Sequence, residues 1–277
     1  METTFRIQPK FKDETYNTLC IEIGWEGISF LYFNKTDSFV SGLVQYHFKR
    51  HRTGEQVSEI IAALFEKEEE LFRHVSDVFI FFNFREQEII PEEFFNSEDQ
   101  VAIYYLMTGR ERNAGYLSNF IPEKHLVVTG RVNKEIINVF NQYFPGARVE
   151  LSTSAFLKCH GDKGNELYCT IYQKLFKCVF FKNGKLHLVQ YFSYNSPNDV
   201  VYHLLNILRQ YQESPEEVNV ILSGLVDEQS ILFSQINKFL PLITLMPVPS
   251  SINVSDEISH HPAHFFSHLI QYATCVL

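Results

Sequence analysis

The sequence predicts an α/β fold in which one βββαβαβα unit is used twice, giving two mixed sheets with helices on both faces. Three observations lead there. The tetrapeptide Leu43-Val44-Gln45-Tyr46 returns as Leu188-Val189-Gln190-Tyr191. Each copy falls in the last of three strand-like runs and just before a segment of helical period. Each of those helices is followed by an apolar run that does not alternate, residues 77–82 and 218–222, as expected of a strand covered on both faces.

The first copy opens with strands at 18–24, 28–33 and 39–48. Asn34, Lys35, Thr36 and Asp37 form the polar turn between the second and third. The period then switches: Val57, Ile60, Ile61, Leu64, Phe65 and Leu71 lie on one face of a helix at 55–72. Thr53 is its N-cap, and Glu55 and Glu59 favour its start. After the strand at 77–82 come a helix at 97–108, a strand at 125–129, a helix at 133–143, a strand at 148–151 and a helix at 153–160.

The second copy has strands at 166–172, 175–181 and 186–192. The turn at 182–185 carries Asn183-Gly184, the strongest short hairpin signal. Pro197 stands at a helix start, where its missing N–H does no harm. Val200, Val201, Leu204, Leu205 and Leu208 form the apolar stripe of that helix. The strand at 218–222, a helix at 228–239, a strand at 243–246 and a helix at 263–273 complete the copy. Gly161, Asp162, Lys163, Gly164 and Asn165 read as a linker. The division is therefore 1–160 and 161–277, with the C-terminal helix placed at the interface. Strand–helix–strand crossovers should be right-handed.

Composition narrows the function classes. Hydrophobic residues make up 45% of the chain, enough for a core, so a folded chain is predicted outside the termini. The 26 Phe and 14 Tyr against one Trp fall largely in strand-like runs, which reads as core. A formal charge of −9 argues against free nucleic acid, whose phosphates need clustered cations. Lys49, Arg50, His51 and Arg52 form the densest basic stretch, read as a solvated strand end. The segment 1–12 lacks the apolar core of a signal peptide, and no apolar run reaches membrane-spanning length. The cysteines, Cys20, Cys159, Cys169, Cys178 and Cys275, are odd in number and form no C-x-x-C pair. A reduced, cytoplasmic protein without membrane insertion is expected.

The tandem βββαβαβα order resembles the actin, sugar kinase and Hsp70 superfamily, a ribonuclease H-like fold, over nearly the whole chain. More narrowly, the sequence is similar to the uncharacterised DUF3822 family of Bacteroidetes. The segment at 89–95 after the fourth strand and the Ser223-Gly224 turn carry that similarity. The superfamily resemblance implies ATP bound between the halves, with an Asp-x-Gly turn in the first hairpin of each half. Backbone N–H groups there hold phosphate, and the acid manages Mg²⁺. Glu22, Gly24, Trp25 and Gly27 stand at that turn in the first copy, with Glu for Asp and a crowding indole for Ser or Thr. In the second copy Thr170, Ile171, Tyr172, Gln173 and Lys174 supply neither acid nor glycine. Of the adenine-side glycine pair, Ser223-Gly224 keeps one member. P-loop and G-x-G-x-x-G patterns are absent.

The resemblance therefore implies an actin-like protein without catalytic residues or an expected cofactor, a pseudo-ATPase acting through a protein partner. Relatives that recruit cell-division or pilus machinery are the analogy. The alternative is an ATPase or kinase using ATP and Mg²⁺ in the interdomain cleft, with Glu22 and Glu26 facing the metal. A homo-oligomer or filament is a third arrangement.

The remaining constellations read as structural. His264 and His268, at i, i+4, would share a helix face beside His260 and His261. Asp256 or Glu257 could complete a zinc shell, but H-E-x-x-H is absent, and no metal is expected. The acidic run at 66–70 reads as a solvated face. Adjacent Cys159 and His160 should not face each other on a helix. Residues 108–112 read as a helix end with cations near its dipole.

Overall fold

Turn chemistry sets the first hairpins. In the computed structural model, β2 (Asn17–Gly24) and β3 (Gly27–Asn34) run antiparallel, and β3 is followed by β4 (Phe39–His47). Asn34 Oδ1 accepts the N–H groups of Thr36 and Asp37 at 2.9 and 3.3 Å, which bends the chain back. The structure describes residues 1–9, 17–48, 53–72, 74–109, 111, 113–161 and 164–277. The basic stretch at 49–52, part of the linker at 161–165 and part of the helix end at 108–112 lie outside them. The chain forms two units: Met1–Cys159 with Ser251–Ser255 and Tyr272–Leu277, and His160–Ser250 with Asp256–Gln271.

In the first unit, β1 (Glu2–Ile7) pairs antiparallel with β4, an edge strand that the sequence pattern did not reveal. Helix α1 (Gly54–Lys67) starts with a reciprocal cap between Thr53 and Gln56. It ends before the predicted residue 72. Glu68 leaves the helix and meets Arg6 at 2.6 Å, and a 3-10 turn covers Glu69–Phe72. Three successive glutamates at a helix C-terminus oppose the dipole, so the break has an electrostatic reason.

Strand β5 (Asp77–Asn83) then enters parallel to β2. The strands β6 (Gln87–Pro91), β7 (Ala114–Ile121) and β8 (Leu126–Asn133) form a separate antiparallel sheet in the order β6-β8-β7, with α2 (Gln100–Thr108) inserted between β6 and β7. This third sheet corrects the expectation of one strand at 125–129. Strand β6 is short, both strands are largely half-exposed, and Pro91, Ser118 and Asn119 blur their alternation. Helix α3 (Lys134–Tyr143) is capped by Asn133, whose Oδ1 accepts the Glu135 N–H at 2.9 Å. Strand β9 (Arg148–Leu151) pairs parallel with β5, and α4 (Ser152–Cys159) closes this stretch. The main sheet runs β1-β4-β3-β2-β5-β9. On one side of it, Phe65 of α1 is ringed by Phe30, Phe72, Phe140, Tyr143 and Phe144, with centroids 5.1–6.3 Å away.

The second unit follows the same order. Strands β10 (Glu166–Ile171), β11 (Leu175–Lys182) and β12 (Lys185–Ser193) meander antiparallel. Asn183 and Gly184 both take positive φ, 51° and 72°, the conformation that a two-residue hairpin needs. Helix α5 (Pro197–Gln210) is capped through Ser196 and Asp199. The Asp199 carboxylate accepts the N–H groups of Asn195 and Ser196 at 2.9 Å, which holds its pKa below the ordinary range. Strand β13 (Asn219–Gly224) lies parallel between β10 and β14 (Ile243–Leu245), with α6 (Ile231–Phe239) joining the two.

The predicted helix at 228–239 starts later because Asp227–Ser230 is a turn and Ser230 is the N-cap. The sheet order is β12-β11-β10-β13-β14. Leu167, Phe176, Leu204, Val220, Leu222 and Ile236 are fully buried in its core. Strand β15 (Asn253–Val254) pairs with β4 in the first unit. After α7 (Asp256–Ser259), the predicted helix at 263–273 resolves into a 3-10 turn at Ala263–Phe265 and α8 (Ser267–Val276). Residues 267–271 of α8 belong to the second unit, and Tyr272 onward belongs to the first. Among the described residues, no helix is long and apolar enough to cross a membrane.

Candidate functional site

In the first unit, Glu22, Gly24, Trp25 and Gly27 share one tight hairpin, β2 and β3 joined through Trp25 and Glu26. Glu22 lies opposite Ser29 of β3 and Phe81 of β5. It is only 7% exposed, and its Oε2 accepts the Tyr272 hydroxyl at 2.5 Å. The Tyr272 ring stacks on Phe81 at 3.9 Å and 9°. An apolar face packs the phenol while its hydroxyl donates to the carboxyl group, so this buried acid has a hydrogen-bond partner. The two residues are 250 positions apart, and nothing local in the sequence pairs them.

The two glycines have structural reasons of their own. A Cβ on Gly24 would come within 2.7 Å of the Asn83 carbonyl oxygen, and one on Gly27 within 2.1 Å of the Tyr46 carbonyl oxygen. Neighbouring strands approach these backbones too closely to admit a side chain. The Trp25 indole N–H donates to Glu86 at 3.3 Å, and its ring meets the Phe84 edge at 4.9 Å. Beside this turn, Asn83 Oδ1 accepts the Ser152 hydroxyl at 2.8 Å. We expect Tyr272→Phe to lower stability by about 1–2 kcal/mol in urea titration, because Glu22 keeps its burial and loses a donor. An unchanged midpoint would show that water replaces the phenol.

Ser223 and Gly224 end β13 in the second unit. Gly224 takes φ +83°, and a Cβ there would lie 2.2 Å from the Ile171 carbonyl oxygen. That oxygen already accepts the Leu225 N–H at 2.8 Å. Ser223 Oγ pairs with Thr170 Oγ1 at 2.9 Å. In the β10–β11 turn, the Tyr172 N–H donates to the Leu175 carbonyl at 2.9 Å, and the Tyr172 carbonyl accepts the Tyr194 hydroxyl at 2.7 Å. The Tyr172 backbone N–H and carbonyl are thus engaged within the unit.

The histidines do not line one helix face. His264 lies in the 3-10 turn and His268 in α8, which corrects the predicted pair. The His264 ring approaches the Val226 carbonyl at 2.6 Å. His268 is half-buried, both its ring nitrogens are shut off from solvent, and its ring meets the Tyr172 edge at 5.8 Å. Among the described residues, no three His, Cys, Asp or Glu side chains converge to hold a metal ion.

Helix α2 has an unusual polarity. Its buried residues are Gln100, which donates to Thr129 at 2.8 Å, and Tyr104. Its outward residues include the large hydrophobics Val101, Tyr105, Leu106 and Met107, with Leu106 82% exposed. A cluster of this kind marks an interaction surface more often than a random patch does.

The family described as "Protein of unknown function (DUF3822)" matches residues 8–243. No curated protein matches the sequence. Among solved structures, a Bacteroides thetaiotaomicron protein with actin-like ATPase fold and unknown function superposes with TM-score 0.76 at 18% identity, over 96% of this chain and 98% of that one. A chain of the PilM–PilN type IV pilus biogenesis complex superposes with TM-score 0.57 at 11% identity, over 96% and 99%. The fold is therefore the actin-like ATPase fold.

Proposed function

The chain belongs to the DUF3822 family, and from that membership and its fold we propose that it is a non-catalytic actin-like protein, a pseudo-ATPase that serves as an adaptor or scaffold for a protein partner. One observation carries the reading. The acid that the resemblance assigns to Mg²⁺, Glu22, is buried and accepts its hydrogen bond from Tyr272. Phosphoryl transfer rests on positioned charge and bare backbone donors. Here the acid serves packing, and Gly24, Gly27 and Gly224 face carbonyl oxygens of neighbouring strands.

The apolar outward face of α2 supports a partner surface, and the PilM–PilN complex supplies a case of this fold within a protein assembly. The free thiols support a reducing, cytoplasmic setting.

Isothermal titration of the full chain with ATP and Mg²⁺ tests the proposal, with Glu22→Ala as control and circular dichroism to verify its fold. The expected result is no binding heat up to millimolar nucleotide. Saturable micromolar binding that the variant loses would overturn it, in favour of an ATPase or kinase that uses Glu22, Gly24, Trp25, Gly27, Ser223 and Gly224.

A further inference from the structure

Cys159 ends α4, and Cys275 lies in the last turn of α8; both belong to the first unit. They are 116 positions apart in sequence, yet their sulfurs are 3.4 Å apart. Thr274 Oγ1 lies 3.4 Å from the Cys159 sulfur, and the Cys275 thiol faces the Ala155 carbonyl, one turn back along α4, at 3.5 Å. Cys159 is exposed and Cys275 half-buried. We infer that Cys159 and Cys275 are a redox-responsive dithiol that hydrogen peroxide converts to a disulfide, with Cys159 attacking and Cys275 resolving.

The geometry suits the reaction. A disulfide holds its sulfurs about 2.05 Å apart, so side-chain rotation has to close a gap of only about 1.4 Å. The electrostatics divide the labour. The hydrogen bond from Cys275, helped by the Thr274 hydroxyl, holds the Cys159 thiol down to about 6 against the opposing effects of burial and Glu150. The same contact pushes the Cys275 thiol up. At neutral pH one sulfur is therefore mainly the nucleophilic thiolate, and its neighbour keeps a proton to deliver. The other cysteines are poor substrates. Cys169 and Cys178 stand opposite each other across β10 and β11, but both are fully buried, and burial pushes the Cys178 thiol well up. Burial raises Cys20 to about 12.

In the first step the Cys159 thiolate attacks one peroxide oxygen. The S–O bond forms, the O–O bond breaks, and the departing hydroxide takes a proton to become water. In the second, the Cys275 sulfur attacks the Cys159 sulfenic acid. The S–S bond forms, the S–O bond breaks, and hydroxide leaves as water with the Cys275 proton. Two thiols lose two electrons to one peroxide, and two waters result. The bond closes a loop that contains every residue of the second unit, since 160–250 and 256–271 all lie between the two cysteines. Closure of so long a loop restricts the unfolded chain.

The test treats the reduced full-length protein with stoichiometric hydrogen peroxide. We expect two of the five free thiols to disappear, a peptide map that joins Cys159 to Cys275, recovery with dithiothreitol, and a thermal midpoint several degrees higher when oxidised. Cys275→Ser should leave a dimedone-reactive sulfenic acid at Cys159, and Cys159→Ser should resist oxidation. In the unaltered protein, iodoacetamide should label Cys159 first, with a rate that rises through about pH 6. The inference is overturned if Cys159 passes to sulfinic acid without a bridge, if the bridge joins Cys169 to Cys178, or if it joins two chains.

Discussion

Replacing Gly224 with alanine is expected to cost roughly 3 kcal/mol of stability, a shift of about a hundredfold or more in the folding equilibrium. Two penalties act together. The residue sits at φ +83°, where an L side chain is strained, and its new Cβ would lie 2.2 Å from the Ile171 carbonyl oxygen. Ordinary relaxation is barred. Ile171 and Gly224 are register partners in a parallel pair, and retreat of either would break the 2.8 Å bond from the Leu225 N–H. Gly109 supplies the control. It has φ +82°, but among the described residues nothing lies within 4 Å of its hypothetical Cβ. Gly109→Ala should therefore cost the backbone penalty without the clash. Urea midpoints for both variants, at unchanged slope, would check this. Equal losses would show that the β10–β13 pair yields freely and that crowding is not why glycine stands there. The outcome bears on function, because lost nucleotide binding in Gly224→Ala would then report unfolding rather than a missing contact.

Acid should destabilise the protein through His268. An unfolded imidazole takes up its proton near pH 6.5, whereas burial, reinforced by the charge of Lys177, holds His268 neutral down to about pH 3. Between those values the unfolded chain binds more protons than the native one. The contribution is fully present above pH 6.5 and is lost as the pH falls toward 3, by about 1.4 kcal/mol per unit. From pH 7 to pH 5 this amounts to about 2 kcal/mol. His268→Leu removes the titrating group and keeps most of the volume, so its stability should fall less steeply over that interval. Parallel urea-midpoint profiles for the two proteins would assign the acid sensitivity to other groups.

Local chemistry carried the features that the sequence alone determined. The Asn183-Gly184 turn, the Thr53 cap, Pro197 at a helix start and the unbroken apolar runs of β5 and β13 each act within a few residues. The succession of meander, helix and apolar strand was therefore legible, and the structure orders those strands β4-β3-β2-β5 and β12-β11-β10-β13.

Tertiary structure alone decided what depends on distant partners. The sheet of β6, β7 and β8 joins one strand that the sequence marks, β8, to two whose alternation is blurred. Arg6 meets Glu68 from 62 positions away, and the spacing of His264 and His268 could not reveal the turn between them. The reason for glycine at 24, 27 and 224 is a neighbouring carbonyl that the sequence does not display. Glu22 found Tyr272 and Cys159 found Cys275 because α8 returns to the first unit, a long-range closure that leaves no periodicity to read.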